Sequence, residues 1–201
     1  VMAAKSYFQT SGTLDQDAPS YIERQADKDL LEALEENELC LVLAPRQTGK
    51  SSLMVRTRKK LGAKGIGSAI VDMQQLGSRY DMDKWFSDVV YQIERSLSLK
   101  TNAVKWWAEN KEIGPTMRFM TFLEDIVLAE INSPLVIFFD EIDTALTLPF
   151  SGDFFTTIRA LVNARADNEV LKRLNFVLLG VASPTDFIKR KSRTPFNVGT
   201  E

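Results

Sequence analysis

The chain of 201 residues is 44% hydrophobic and nearly balanced in charge, with 25 basic against 27 acidic side chains and a pI of about 5.4. This balance gives no global field that would attract nucleic acid or acidic membranes, and the longest apolar runs are far too short to span a membrane. Histidine is absent and Cys40 is the single cysteine, which excludes Ser-His-Asp catalysis and an internal disulfide and argues against a zinc site.

These properties predict a soluble globular domain with a sizeable core. The N-terminus lacks the apolar segment of a secretory signal, so we expect a cytoplasmic protein without membrane contacts. Residues 1–20 show little periodicity and are expected to form an extended lead-in, whereas residues 21–201 should form the core. From residue 21 the spacing of apolar residues predicts a helix that ends near Asn37.

A short apolar run at residues 39–43 breaks into a loop that ends in Gly49, Lys50 and Ser51. The run is too short for a helix and is typical of a buried parallel strand, while the residues after the loop have helical character. A strand joined to a helix by Ala44-x-x-x-x-Gly49-Lys50-Ser51 is the Walker A pattern, with alanine in place of the first glycine.

The residue types of this loop match the chemistry of a polyphosphate, because backbone N–H groups at a helix N-terminus form an anion-binding nest. Gly49 lets the backbone approach the phosphates, Lys50 can reach the β and γ oxygens, and the Ser51 hydroxyl can ligate Mg²⁺. Ala44 precedes a proline, which favours the extended geometry of a strand end, so we expect it to be tolerated. The predicted nucleotide-binding residues of the loop are Ala44, Pro45, Arg46, Gln47, Thr48, Gly49, Lys50, Ser51 and Ser52.

The helix that follows the loop is basic and is predicted to run to about residue 61. One face of this helix must pack on the sheet, so we interpret its cations as a solvated face rather than a patch for nucleic acid. These cations are Arg56, Arg58, Lys59 and Lys60.

The next strand, predicted at residues 68–73, places Asp72 at the edge of the sheet where a ligand would lie. Asp72 either contacts a metal there or caps the following loop. Apolar residues at helical spacing then predict helices over residues 85–97 and 117–131. Between them, the Trp106–Trp107 pair either packs this insertion, which we favour, or contacts a partner.

The apolar run of residues 135–139 ends in two carboxylates, Asp140 and Glu141, which is the Walker B pattern. Such a run predicts a fully buried parallel strand whose C-terminal end meets the crevice where open α/β sheets bind ligands. Asp140 should therefore lie near Ser51 and hold Mg²⁺ directly or through water. Glu141 would orient and deprotonate the water that attacks the γ-phosphate, and Asp143 is a further candidate carboxylate.

A last buried strand is predicted over residues 174–182 and is followed by Ser183. Ser183 either hydrogen-bonds the lytic water or a γ-oxygen, or it caps a helix, and the two alternatives weigh about evenly. A phosphate-loop core commonly needs an arginine that stabilises transition-state charge. We favour Arg193 for this role, with an ordinary surface arginine as its alternative. The other candidates are Arg46, Arg159 and Arg165.

Four segments together resemble the AAA-like branch of P-loop ATPases, close to the STAND signalling NTPases and the archaeal-type ATPases related to replication initiators. They are Tyr21-Ile22-Glu23-Arg24-Gln25-Ala26-Asp27, residues 45–52, Phe139-Asp140-Glu141-Ile142-Asp143 and Ser192-Arg193-Thr194-Pro195-Phe196-Asn197. The resemblance covers most of residues 7–201. It implies an ATP-binding core in which Tyr21, Ile22 and Arg24 line the adenine side.

The resemblance also implies a larger bacterial multidomain protein. In such a protein a helical and winged-helix lid would follow beyond these 201 residues, and sensor or effector modules would be attached elsewhere. The expected fold is α/β, a three-layer P-loop NTPase core with a mostly parallel sheet and helices on both faces. The strand between the two Walker strands and the glutamate after Asp140 match the additional-strand, catalytic-glutamate class. We therefore expect the strand order 5-1-4-3-2, with the fifth strand supplied by residues near or beyond Glu201.

The leading functional hypothesis is an ATP-driven switch. Binding of Mg·ATP would close the core against a lid or a neighbouring subunit, and slow hydrolysis would reset it. The expected ligands are ATP and ADP with Mg²⁺. One alternative is a nucleotide-dependent oligomerisation scaffold without significant turnover. Another is a DNA-loading ATPase like the replication initiators, which the pI and the lack of a visible winged helix disfavour.

Overall fold

In the part of the chain that the structure describes, four parallel strands form one sheet in the order β1-β4-β3-β2. The computed structural model describes residues 23–76 and 81–181. The strands are β1 (Cys40–Ala44), β2 (Gly67–Asp72), β3 (Leu135–Asp140) and β4 (Leu174–Val181). The helices are α1 (Gln25–Glu35), α2 (Lys50–Ala63), α3 (Met82–Leu97), α4 (Ala103–Glu109), α5 (Pro115–Thr121), α6 (Leu128–Glu130), α7 (Ile142–Ala145) and α8 (Ser151–Ala164).

This order confirms the predicted sequence 1-4-3-2 for the four strands. The fifth position was assigned to residues near or beyond Glu201, which lie outside the described residues. The lead-in predicted at residues 1–20 also lies outside them and stays a prediction.

The central strand β3 shows how the sheet separates two cores. Side chains alternate between the faces of a strand, so Val136 and Phe138 join one core and Ile137 and Phe139 join the other. The first core is completed by α1 and α2, and the second by α3, α4, α5 and α8. All four side chains are at most 3% exposed. Helices therefore cover both faces, which confirms the three-layer α/β fold.

Aromatic packing fixes the exit of β3 toward the ligand edge of the sheet. The Phe139 ring contacts the Phe154 ring of α8 edge-on at a centroid distance of 5.2 Å, and Phe154 contacts Trp85 of α3 at the same distance. Edge-to-face pairs of this kind contribute about 0.5–1.5 kcal/mol each beyond their buried area. Since Phe139 immediately precedes Asp140, this packing holds the backbone from which the carboxylate projects.

The helix predicted over residues 117–131 is interrupted. Between α5 and α6 the chain forms a π-helical segment at Phe122–Val127. The wider turn brings Phe122, Leu123 and Val127 into the core together. Within residues 23–76 and 81–181, every helix is too short or too polar to cross a membrane.

The tryptophan pair packs the insertion between α3 and α5, as predicted. Trp107 is 2% exposed and stacks on Phe86. The Trp106 ring packs against Phe122 at a centroid distance of 5.3 Å. These tryptophans therefore belong to the core.

Arg118 ties this insertion together from a buried position, with 2% of its surface exposed. Its guanidinium donates to the carbonyl oxygens of Ile113, Trp107 and Lys111 at 2.6–3.1 Å. It also donates to Asp83 Oδ1 at 2.9 Å and lies 4.5 Å from the centre of the Trp107 ring. One side chain thus joins α4, the loop after it and α3 through hydrogen bonds.

Replacing Arg118 with methionine is expected to lower the free energy of unfolding by about 2–4 kcal/mol, because the substitution removes the donor from one buried and two partly buried carbonyl groups. Urea denaturation of the parent and variant measures this loss. Lys105→Met is the matched control, since the Lys105 side chain is 74% exposed and pairs only loosely with Glu109 at 3.8 Å. Equal stability of the two methionine variants would contradict the assignment.

Candidate functional site

The C-terminal ends of the four parallel strands meet at one edge of the sheet. The register pairs Ala44 of β1 with Val181 of β4, and Asp72 of β2 with Asp140 of β3. The loop after β1 and the two carboxylates at the end of β3, Asp140 and Glu141, therefore lie at the same edge, as the sequence predicted. This is the edge at which open α/β sheets bind their ligands.

The loop between β1 and α2 is tight and contains two left-handed residues. Gln47 has a φ of 62° and Gly49, which caps α2, has a φ of 83°. Thr48 Oγ1 donates to the Pro45 carbonyl at 2.7 Å and closes the loop on itself. The chain thereby enters α2, a helix of 14 residues, whose N-terminus offers unpaired N–H groups and a partial positive charge.

Lys50 occupies the first turn of α2 and is 8% exposed. Within the described residues, its Nζ is buried and has no hydrogen-bond partner. A buried ammonium group that lacks a partner is costly, and native proteins normally satisfy such groups. The arrangement therefore fits an anionic ligand at this loop.

The two carboxylates after β3 interact electrostatically with Lys50. Burial raises the pKa of Asp140 above its ordinary value, while the Glu141 N–H, which donates to Asp140 Oδ1 at 2.9 Å, and the Lys50 charge oppose this rise. Burial likewise raises the pKa of Glu141, which the Lys50 charge lowers and the Asp140 charge raises. The loop lysine and both predicted carboxylates thus act on one another at the same edge.

Glu141 has a left-handed backbone, with φ 56° and ψ 45°, where β3 turns into α7. This conformation costs a residue with a side chain roughly 1–2 kcal/mol. Strain of this kind concentrates at functional sites, where the direction of a side chain matters more than stability. Glu141 is half-buried, so its carboxylate remains accessible.

Arg24, at the N-terminus of α1, contacts the loop directly. Its Nη1 donates to the Thr48 carbonyl at 2.6 Å and its Nη2 to the Gly49 carbonyl at 3.4 Å. A Cβ on Gly49 would lie 3.3 Å from Nη1, so glycine also makes room for this contact. Asp27 accepts a 2.9 Å hydrogen bond from the Arg24 N–H and fixes the start of α1. No local pattern in the sequence links residues 24 and 25 positions apart, so this contact was not predicted. The adenine-side role that the resemblance implies for Arg24 stays a prediction.

The other residues of the predicted nucleotide-binding loop differ in exposure. Ala44 ends β1, Ser51 is half-buried beside Lys50, and Ser52 is 6% exposed. Pro45, Arg46 and Gln47 are exposed. The charge of Arg46 slightly opposes the rise that burial causes in the pKa of Glu141.

Asp72, for which metal contact and loop capping were both open, caps the turn after β2. Its Oδ1 accepts from the Gln74 N–H and its Oδ2 from Gln75 Nε2, both at 2.9 Å. Arg165, one of the candidate arginines, donates to Asn175 Oδ1 at 2.8 Å near the beginning of β4, at the far end of the strand from the site. Four further predicted site residues, Tyr21, Ile22, Ser183 and Arg193, lie outside the described residues.

A magnesium ion would find hard oxygen donors at this edge in the Ser51 hydroxyl and the Asp140 carboxylate. No group of three or more Asp, Glu, Cys or His side chains suited to a metal occurs within residues 23–76 and 81–181. The donor set therefore fits a metal that takes its other oxygens from water and a bound phosphate, as Mg²⁺ commonly does, rather than a cage made of protein alone.

Cys40 is a buried residue of β1, as predicted, and 8% of its surface is exposed. Burial raises the pKa of its thiol to about 12. Its Sγ contacts the Glu38 carbonyl at 3.3 Å. The thiol therefore stays protonated at neutral pH and takes no part in the chemistry of the site.

Comparison with known proteins places these features in a family. A family model described as an AAA-like domain matches residues 9–201. An uncharacterized WD repeat-containing protein of Synechocystis sp. is 41% identical over 196 residues, which are 96% of this chain and 16% of that protein. The chain thus spans a small part of this relative.

Three archaeal structures have a similar fold. The Walker-type ATPase of Pyrococcus abyssi matches with a TM-score of 0.54 and 18% identity, over 87% of this chain and 49% of that one. The Aeropyrum pernix ORC2 protein, in ADPNP–ADP complexes, matches with a TM-score of 0.57 and 14% identity, over 88% of this chain and 47% of that one. The Aeropyrum pernix ORC1 protein, in complex with DNA, matches with a TM-score of 0.51 and 16% identity, over 82% of this chain and 40% of that one. The chain spans half or less of each.

Proposed function

Because the chain belongs to the AAA-like domain family, we propose that it binds Mg·ATP at the loop of residues 44–52 and hydrolyses it slowly. The cycle of binding and hydrolysis would serve as a conformational switch within a larger signalling or regulatory protein. The partner that the core closes on would be a lid or a second copy of the protein.

The buried Nζ of Lys50 is the observation that carries this proposal. It has no partner within the described residues, it lies in the first turn of a helix, and the loop before it contains two left-handed residues. A polyphosphate supplies the missing negative charge and accepts from the loop N–H groups at the same time. A smaller anion would satisfy Lys50 but would leave the nearby carboxylates without a role.

Each residue of the site then takes a role that its chemistry suits. Lys50 binds the β and γ oxygens of the nucleotide as a point charge. Ser51 and Asp140 would hold Mg²⁺, which, when bound, bridges the phosphate oxygens and neutralises their charge. Glu141 orients the attacking water and accepts its proton, and its raised pKa brings it closer to neutral pH, where a general base works best.

Other residues would complete the site. Arg24 holds two carbonyls of the loop and thereby keeps its N–H groups facing the phosphates. Tyr21 and Ile22 are proposed to line the adenine side, Ser183 to bond the lytic water or a γ-oxygen, and Arg193 to stabilise transition-state charge on a neighbouring subunit. The role of Tyr21 and Ile22 is implied by the family resemblance, and those of Ser183 and Arg193 rest on their places in the sequence.

The DNA-loading alternative receives no support from the basic helix. Lys60 of α2 forms an ion pair with Glu23, and Lys64, immediately after α2, forms one with Glu35 of α1. Arg58 Nε donates to Ser68 Oγ at 3.0 Å. Binding to a phosphate backbone would require these positive charges, but they already interact with carboxylates or a hydroxyl of this chain. The ORC1 protein, which has a similar fold, was nevertheless solved in complex with DNA.

The parent protein is proposed to combine this core with other modules in the cytoplasm. The relative from Synechocystis is a WD repeat-containing protein of which this chain matches 16%. Repeat domains of that kind present binding surfaces, so they suit the sensor or effector role that the switch requires.

Prolonged incubation of the purified 201-residue chain with ATP and Mg²⁺ tests the proposal. We expect slow, Mg²⁺-dependent formation of ADP and phosphate, measured by chromatography of the nucleotides. The Lys50→Ala variant, purified identically, corrects for contaminating ATPases. Recovery of intact ATP bound to the parent protein would favour the scaffold, and failure to retain any nucleotide would contradict the proposed function.

A further inference from the structure

The turn that carries Glu141 is attached to the end of β4 rather than only to its own strand. Asp143 Oδ1, in the first turn of α7, accepts a 3.0 Å hydrogen bond from the backbone N–H of Val181. An acidic residue at the start of a helix normally interacts with its own N-terminus. Here the carboxylate instead contacts a strand 38 residues later in the chain.

The register explains why this N–H is available. Pairing between β3 and β4 ends at Phe139 and Leu178, so the last three residues of β4 extend beyond the part that pairs with β3. On the other side, β1 continues to pair with β4 as far as Val181. The main chain of β3 no longer pairs with β4 at this point, and the Asp143 carboxylate accepts the hydrogen bond from the Val181 N–H instead.

A close approach at Gly180 forms the second attachment. A Cβ built on Gly180 would lie 2.7 Å from Ile142 Cγ1 and 3.3 Å from Leu43 Cδ2. Ile142 is the residue after Glu141 and is 3% exposed. Glycine at this position thus lets α7 lie directly on β4, and any larger residue would push the turn away.

These two attachments flank the strained residue. Glu141 has a φ of 56°, and its N–H and carbonyl are each engaged, the N–H with Asp140 Oδ1 at 2.9 Å and the carbonyl with the Thr144 N–H at 3.0 Å. The direction of its carboxylate therefore depends on where α7 lies. The position of α7 depends in turn on Asp143 and Gly180.

We propose that Asp143 and Gly180 are positioning residues that anchor α7 on the end of β4 and so hold Glu141 in its left-handed geometry. The inference rests on the proposed function, because it concerns where the hydrolytic carboxylate is held. It also connects the carboxylate turn to the strand end that leads into residues 182–201. Neither residue touches the nucleotide in this account.

Matched substitutions at Asp143 test the anchor. Asparagine keeps an oxygen that accepts from the Val181 N–H, whereas alanine removes the acceptor. We expect Asp143→Ala to lower kcat by about tenfold to a hundredfold with an ATP affinity within about twofold of the parent, since a displacement of about 1 Å can cost that much. Asp143→Asn is expected to restore most of the rate. Gly180→Ala should resemble Asp143→Ala, because it displaces the same turn.

Two further measurements separate positioning from loss of stability. Amide hydrogen exchange at Val181 should be faster in Asp143→Ala than in the parent and Asp143→Asn. Thr157→Ala serves as the stability control, since it deletes a buried hydroxyl that donates to the Asp153 carbonyl at 2.7 Å within α8. That variant should lose stability and keep its kcat.

Each outcome bears on the proposal. An Asp143→Ala variant with the parent kcat and unchanged Val181 exchange would overturn it. An asparagine variant as slow as the alanine variant would also overturn it, because the charge rather than the bond would then matter. If the unsubstituted protein itself fails to hydrolyse ATP, the proposed function is refuted. That result differs from failure of the positioning proposal, in which the unsubstituted protein is active and the substitutions leave its activity unchanged.

Discussion

Replacing Lys50 with alanine is expected to weaken Mg·ATP binding by at least about a hundredfold, because truncating one partner of a buried charged contact costs about 2–5 kcal/mol. The unliganded fold should not suffer. In the free protein the Lys50 Nζ is buried without a hydrogen-bond partner among the described residues, so its removal relieves a desolvation cost. This gain is set against the lost attraction between Lys50 and the Asp140 and Glu141 carboxylates, so the variant should remain folded while losing its ligand.

Calorimetric titration with Mg·ATP and urea denaturation measure the two effects in the same preparation. Lys59→Ala is the control, because Lys59 lies on the exposed part of the same helix. We expect Lys59→Ala to bind ATP like the parent. A correctly folded Lys50→Ala variant with undiminished affinity would falsify the assignment of the phosphate loop.

Replacing Glu141 with glutamine is expected to lower ATP turnover by about 10²–10⁴-fold while ATP binding persists, since the amide cannot accept the proton of the attacking water. The shape of the turn should be retained, and Asp140 should still be able to hold the metal. Phosphate release under saturating ATP measures the turnover. Asp140→Asn should instead reduce the dependence of binding on Mg²⁺, which distinguishes the two carboxylates.

Two companion substitutions sharpen the Glu141 prediction. Glu141→Gly should abolish turnover as well, yet raise the free energy of unfolding by up to about 1 kcal/mol, because glycine accepts the left-handed backbone without strain. Glu109→Gln, at a side chain that is 62% exposed, controls for loss of a surface carboxylate. A glutamine variant that hydrolyses ATP as fast as the parent would remove Glu141 from the mechanism and favour the scaffold.

The sequence predicted those parts of the fold that local patterns determine. The run of residues 39–43 and the run ending in Asp140 are too short and too apolar for helices, and both are strands in the structure. The second is buried as predicted, whereas burial of the first was predicted wrongly: β1 lies at one edge of the described sheet, and Leu41 is 37% exposed. The order of the strands followed from the resemblance to a known family. The break at Phe122–Val127 was missed because a π turn changes the helical spacing only slightly.

The contacts that position the site were harder to predict. Arg24 reaches the loop across 24 residues and Asp143 reaches Val181 across 38, and such distances leave no trace in periodicity. Gly180 did leave a signal, since an isolated glycine inside an apolar strand indicates a close approach of another backbone or side chain. The partner, Ile142, became visible only with the fold.

Equilibrium binding of ATP to the 201-residue chain, with and without Mg²⁺, tests the central claim most directly. We predict saturable binding of one ATP that tightens with Mg²⁺, with ADP bound in competition, because Lys50, Ser51 and Asp140 would be engaged together. Titration with GTP in parallel would show how the base contributes. Absence of ATP binding at millimolar concentrations to folded protein, with or without Mg²⁺, would contradict the account.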